Sequence, residues 1–382
     1  MTLLSRLGPL TKRQLAKLGG LGWATVVKSI DDLMAAGIVE FAGTIKGPPG
    51  KRGKHAEQYT LSSTFPIAMG IDVEYRSTHA TVVNLKGEVL VEERYRTVQK
   101  PDQGDVVRFL SQVISDFSGR SGVDLETLDG IGIGIPGIGF PSRSPRINLQ
   151  IAGEIESELA QKFNTTMCIA KNTNAYTVSQ KWSAVDNDFS DILWVTIRSG
   201  VGAGIIHRGD LYTGEHGLSG EIGHLKVAPG GPHCRCGNSG CLESVVNERY
   251  LFEQYRTRVL GSTMWNGEAS IEDVREGLRR LFDGCTAGNE ESRHVVGTAA
   301  GYLGRALAAA CTILDINTIM ISGHFGENGD ALIKPLRDAI VENSLADIPL
   351  SVGYVPFDST SYVRGAALLV FRKYLVNVPE ET

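Results

Sequence analysis

His224 and the three cysteines Cys234, Cys236 and Cys241 fall within eighteen positions of the stretch HLKVAPGGPHCRCGNSGCLE. Together they offer the four nitrogen and sulfur donors that a tetrahedral metal takes, zinc above all. A Cys-x-Cys pair can reach one ion from a tight turn, and Gly237 and Gly240 let the chain fold back on itself. Four protein ligands leave no coordination position open. The implied role is therefore structural, with one Zn2+ per chain, rather than catalytic. No second histidine pair or finger helix follows, so this is not a DNA-binding finger of the two-Cys, two-His kind. The competing reading is a set of free or redox-active thiols. Cys168, Cys285 and Cys311 are scattered singly, as buried thiols are.

A loop of this kind needs a scaffold. The chain has 382 residues, 42% of them hydrophobic, which suggests two or three domains with a sizeable core. No run of about 18 apolar residues is present to span a membrane. The N-terminus lacks a long apolar segment and a small-residue cleavage site, and is read as mature cytoplasmic sequence. That compartment favours a metal cluster over disulfides. The net charge of −5 is unevenly spread: residues 1–62 carry nine Lys/Arg against four Asp/Glu, and the rest of the chain is acidic. A basic head on an acidic body points to a polyanionic partner for the head alone.

The head has a pattern as well as a charge. In LTKRQLAKLGG, Leu10, Leu15 and Leu18 stand at helical spacing behind Thr11 as N-cap, and Gly19 and Gly20 break the run. A second amphipathic helix starts in GWATVVKSIDDLMAAG. Ala24, Val27, Ile30, Leu33 and Met34 are its expected buried stripe and Gly37 its end. IVEF and EQYTL then flank a Gly/Pro loop holding Lys46, Lys51, Arg52 and Lys54, the pattern of a wing. GPPGKRGK has no register of a phosphate-binding P-loop. The expectation is a winged helix-turn-helix over residues 1–64. Lys12, Arg13, Trp23, Thr25, Lys28 and Ser29 would lie on its DNA face, with Lys51, Arg52 and Lys54 at the wing tip on phosphates. A dimerisation or protein-binding head is the alternative.

From Phe65 the pattern turns to α/β. A β-meander, a helix, the buried strand of DGIGIGIPGIGF and further helix and strand signals are followed by a second meander with a Gly-rich turn. Two similar halves suggest an internal duplication, with a first α/β lobe over 65–180 and a second over 181–382.

These motifs resemble the ROK family (repressors, open reading frames, kinases). The residues carrying the likeness are GEIGH at Gly220–His224 and CRCGNSGCLE at Cys234–Glu243, supported by SGVGAG at Ser199–Gly204 and GIGIPG at Gly132–Gly137. The resemblance implies a two-lobed sugar kinase/actin-like (ribonuclease H-like) fold, and a winged head such as the family's repressor branch carries. It also implies zinc on His224, Cys234, Cys236 and Cys241, and sugar hydroxyls held by Glu221, His224 and Glu243, with Asn148 as a further contact.

Two parts of a family kinase are altered. A phosphate loop like D-x-G-G-T would fall on Asp72 to Arg76, where Glu74 and Tyr75 replace the glycines that let phosphates approach. The base of an N-D-x-N-A-like segment would fall on Asn172 in KNTNA, and an amide cannot accept the proton. Lys171 beside it brings a cation to the expected effector site, which favours a sugar phosphate or sugar acid, unless a protein carboxylate pairs with it.

The expectation is thus a sugar-responsive transcription regulator, a repressor, acting on double-stranded operator DNA as a homodimer or homotetramer without enzyme activity. The alternative is an active ATP-dependent sugar kinase with a regulatory head.

Overall fold

The computed structural model describes residues 1–45, 55–74, 77–96, 103–137, 145–183, 190–262, 269–345 and 349–375. Lys46, Lys51, Arg52 and Lys54 of the wing tip, and Tyr75 and Arg76, lie outside these.

The head runs α1 (Thr2–Leu7), β1 (Leu10–Thr11), α2 (Lys12–Gly19), α3 (Trp23–Ala35), β2 (Val39–Ile45) and β3 (Ala56–Leu61). Its sheet order is β1-β3-β2, the plan of a winged helix. Thr11 starts α2 because its hydroxyl accepts from the Gln14 N–H while the Gln14 side chain reaches back to the Thr11 N–H. Gly20, left-handed at φ 61, closes the helix. On α3 the buried residues are Val26 and Ile30, with Leu33 half-buried, while Ala24 and Met34 are exposed. The stripe expected through Ala24 and Val27 is therefore displaced. Two registers share Ile30 and Leu33, and the one starting at Val26 buries a branched side chain where Ala24 offers a single methyl. Leu18 is likewise exposed, and Leu10 belongs to a strand.

The chain groups into two compact units. The first takes Met1–Pro136, Gln150–Asp188 and Thr360–Thr382, and the second takes Gly137–Leu149 and Phe189–Ser359. The head thus falls in the first unit. The first unit's sheet is built from β4 (Ile67–Val73), β5 (Ser77–Asn84), β6 (Val89–Arg96), β7 (Gly130–Ile135) and β8 (Met167–Lys171). Its helices are α4 (Gln103–Ser121), most of α5 (Pro145–Phe163) and α6 (Asn172–Ser183). The second unit's sheet has β9 (Ile192–Ile197), β10 (Val201–His207), β11 (Asp210–Tyr212), β12 (Thr318–Gly323) and β13 (Ser351–Pro356). Its helices are α7 (Glu243–Val246), α8 (Glu248–Gln254), α9 (Ile271–Thr286), α10 (Glu290–Leu314) and α11 (Ile333–Glu342). The final helix α12 (Ser359–Leu375) is grouped with the first unit, although its place in the chain assigns it to the second lobe.

The two sheets have the same plan, β6-β5-β4-β7-β8 and β11-β10-β9-β12-β13. In each, an antiparallel meander is extended by two parallel strands beside its first strand. This is the duplicated actin-like, ribonuclease H-like arrangement. The glycines of DGIGIGI have a packing reason: a Cβ on Gly132 would sit 1.7 Å from the Ala366 carbonyl oxygen, so α12 lies directly on the strand. Among the described residues no helix is long and apolar enough to cross a membrane.

Candidate metal and effector site

In the second unit the motif GEIGH lies against β10. The Gly220 N–Cα–C backbone is left-handed at φ 75, and a Cβ there would fall 1.9 Å from the Ala203 carbonyl oxygen. A Cβ on Gly223 would fall 2.1 Å from that of Val201. Two glycines three apart therefore face two strand residues two apart. The 3-10 turn at Ile222–His224 puts Glu221 and His224 on one common face, since residues three apart eclipse in such a turn. Their side chains meet, with His224 Nε2 3.7 Å from Glu221 Oε2. Gly220→Ala is expected to cost about 3 kcal/mol, combining overpacking with a strained φ. A fall in the denaturant midpoint at unchanged slope would register it.

His224 turns its other nitrogen to the cysteines: Nδ1 is 3.6 Å from Cys234 Sγ. Cys236 Sγ and Cys241 Sγ are also 3.6 Å apart, and all four donor atoms lie within 4.8 Å of one another. A tetrahedron with metal–sulfur bonds of about 2.3 Å has sulfur–sulfur edges of about 3.8 Å, so the donors fit a single ion. The loop closes as its glycines suggest: Gly237 and Gly240 have φ 96 and 74, the Cys234 N–H donates to the Asn238 carbonyl, and Lys226 bridges Cys241. Burial and the neighbouring sulfurs push the Cys241 thiol up to about 12, and burial raises Cys234. Cys236 is lowered, because the Asn238 N–H and the neighbouring thiols outweigh its burial. Three such thiols ionise together only around a cation.

Glu243, two residues past Cys241, is 4% exposed. Its Oε2 accepts from the Val201 N–H at 3.1 Å, and its Oε1 accepts from Arg235 Nε at 2.8 Å. Arg235 stands between the two clustered cysteines, so the metal loop itself holds the carboxylate in place. Sequence reasoning misses Arg235, since a residue inside Cys-x-Cys reads as a spacer. Gly137, from the GIGIPG motif, also reaches this region: a Cβ on it would lie 2.9 Å from Glu221 Oε1.

The remaining effector candidates come from other segments of the chain. Lys171 is the half-buried last residue of β8, and Asn172 begins α6, both in the first unit. Asn148 lies in the first turns of α5, with its side chain outside the described residues. Buried Asp72 is close to Asn172: a Cβ placed on Gly134 would be 3.3 Å from Asp72 Oδ1 and 3.5 Å from Asn172 Cα. The β4–β5 hairpin closes where the Glu74 N–H donates to the Ser77 carbonyl at 2.8 Å.

On the head, Arg13, Trp23, Thr25, Lys28 and Ser29 are exposed. Lys12 is half-buried, with Nζ 2.7 Å from Asp31 Oδ1, and so ties α2 to α3. The head is held to the sheet behind it by Glu40, which accepts from Ser63 Oγ at 2.9 Å and pairs with Lys86 at 3.5 Å. Asn84 Nδ2 donates to the Ser63 carbonyl at 3.1 Å.

The sequence profile of the ROK family matches residues 68–373. The chain is 27% identical over 310 residues to a glucokinase of Thermotoga maritima, covering 79% of this chain and 94% of the enzyme. It is also 27% identical over 341 residues to the xylose repressor of Caldicellulosiruptor bescii, covering 88% of this chain and 84% of that protein. Among solved structures, a ROK family transcriptional regulator described as a homologue of the E. coli MLC protein superposes with a TM-score of 0.75 at 23% identity, covering 97% of this chain and 94% of that one.

Proposed function

The chain belongs to the ROK family, and from that premise we propose that it is a sugar-responsive transcriptional repressor, binding operator DNA with its winged head and sensing a sugar or sugar derivative in a former kinase site. The observation that carries this reading is the head itself, whose helix α3 turns Trp23, Thr25, Lys28 and Ser29 to solvent. The likeness to a xylose repressor over 88% of the chain supports it. In this reading α3 enters the major groove, and Arg13 with Lys51, Arg52 and Lys54 of the wing contacts phosphates. Gly22 gives α3 no side-chain cap, which leaves first-turn N–H groups to receive a phosphate as well. Lys12 orients α3 through Asp31.

The metal is zinc, structural, one per chain, on His224, Cys234, Cys236 and Cys241. Glu221, His224 and Glu243 accept and donate to sugar hydroxyls; carboxylates suit this because each oxygen takes two hydrogen bonds. Asn148, Lys171 and Asn172 are proposed as effector contacts on the family resemblance alone. The protein acts as a homodimer or homotetramer, with paired heads addressing half-sites roughly 34–36 Å apart. Asn172 begins α6, and α6 packs against α1 of the head. A displacement of α6 on effector binding is thus passed to the head through packed helices, provided the effector binds the two states unequally.

A mobility-shift series in salt tests the DNA reading. Neutralising about six phosphates should lose about a thousand-fold in affinity between 50 and 200 mM salt, and Arg52→Ala should lower the log–log slope by about one. A head that binds protein instead would show neither. The second reading is an active sugar kinase, favoured by the match to a glucokinase and by the carboxylate of Asp72 beside Asn172.

A further inference from the structure

The exposed face of α3 is not uniformly polar. Trp23, Ala24, Val27, Lys28, Asp31 and Asp32 line an open groove along it. Trp23 is 59% exposed, and Ala24 is exposed as well. Trp23, Val27 and Asp31 form one i,i+4 column, with Ala24, Lys28 and Asp32 in the next. An exposed tryptophan above two small apolar side chains, on a helix whose opposite face already supplies the core, marks a contact surface.

We infer that the groove formed by Trp23, Ala24 and Val27 reads thymine methyl groups in the major groove, so that operator specificity rests on apolar contact as much as on hydrogen bonds. The inference rests on the DNA-binding reading above and deepens it. Charge selects the occupant. The groove belongs to a head with nine Lys/Arg against four Asp/Glu in residues 1–62, and its rim carries Lys28 with Thr25 and Ser29 alongside. The positive balance is the head's, while the groove itself sets Lys28 against Asp31 and Asp32, so a polyanion meets it from its apolar, N-terminal end. The one apolar group that a duplex shows in its major groove is the thymine C5-methyl, which alanine and aromatic side chains contact.

The acidic residues set the direction of entry. Asp31 and Asp32 lie at the C-terminal end of the groove, where carboxylates would repel phosphates. Asp31 is neutralised by Lys12 at 2.7 Å. The apolar end is the N-terminal one, and this is the end of a recognition helix that meets base edges. Burying one methyl is worth about as much as one methylene, which corresponds to roughly a four-fold change in affinity.

The test uses the full chain. Duplexes are selected from a random library, and each dT of the recovered half-site is replaced in turn by deoxyuridine, which removes the methyl and keeps the pairing edge. At one or two positions per half-site the affinity should fall about four-fold per methyl removed. That loss should disappear in Trp23→Ala and in Val27→Thr, a nearly isosteric change that keeps the helix surface intact. Lys28→Ala should instead weaken all duplexes alike. Deoxyuridine without effect at every position, or with equal effect in wild type and both variants, overturns the inference while leaving DNA binding standing. Recovery of no duplex above non-specific competitor overturns the DNA-binding reading and this inference with it.

Discussion

Replacing Cys241 with serine is expected to leave the purified protein without its metal and to lower its stability by about 4 kcal/mol, near the upper end for a single side chain. Cys241 is fully buried, and its sulfur stands 3.6 Å from that of Cys236. A serine hydroxyl does not ionise there, so three donors would remain for an ion that takes four. Structural zinc supplies roughly 10–16 kcal/mol of apparent binding free energy where it folds an otherwise unfolded peptide. Here the loss is smaller, because the segment after the loop also docks Leu242, Val245 and Val246 into the core of the second unit. What loosens is the turn carrying Arg235, and with it the ion pair that orients Glu243. Metal analysis should give one ion per wild-type chain and close to none in the variant. Chelator-stripped wild type should match the variant in denaturant midpoint and recover with Zn2+. Cys311→Ser, a buried thiol outside the cluster, should keep its metal. A full complement of metal in Cys241→Ser would refute the assignment.

The cluster is legible in the sequence because all four donors lie in one short segment, where residue type and spacing suffice. The N-cap at Thr11 and the duplicated meanders are legible for the same reason: each is a local pattern. What depends on distant backbone is not. The spacing of Gly220 and Gly223 acquires its meaning only once β10 is seen to pass within contact. Arg235 acquires its own only beside Glu243 and the loop at Gly200, where a Cβ would lie 2.8 Å from its Nη2. The stripe of α3 is misjudged by register, since an amphipathic period of 3.6 fits more than one starting residue. The run AALLVF in α12 is apolar enough to announce burial, but not that it returns to strands near the start of the body.

With ATP and glucose, xylose or N-acetylglucosamine, the purified chain is expected to give no turnover, and Asn172→Asp is expected not to restore it. On the proposed alignment Asn172 stands where the base would, and an amide can hold a hydroxyl without taking its proton; losing a general base lowers a rate by about 10²–10⁴. Base and phosphate cradle act as a unit, so repairing one leaves the rate at the floor set by the other. The cradle is the harder part to repair. Val73 pairs with Thr78 where β4 passes to β5, and the Glu74 N–H already donates to the Ser77 carbonyl. No glycine in that turn lets a phosphate approach the backbone. Asp72 places a carboxylate beside Asn172 that could stand in as base, and so it supplies the decisive control. Sugar-dependent ADP release in a coupled assay, abolished by Asp72→Asn and by Glu221→Ala, would make this chain a kinase. A sugar that raises the melting temperature of wild type, fails to do so for Glu221→Ala and is recovered unphosphorylated would mark a sensor, because binding to the folded state stabilises it whether or not chemistry follows.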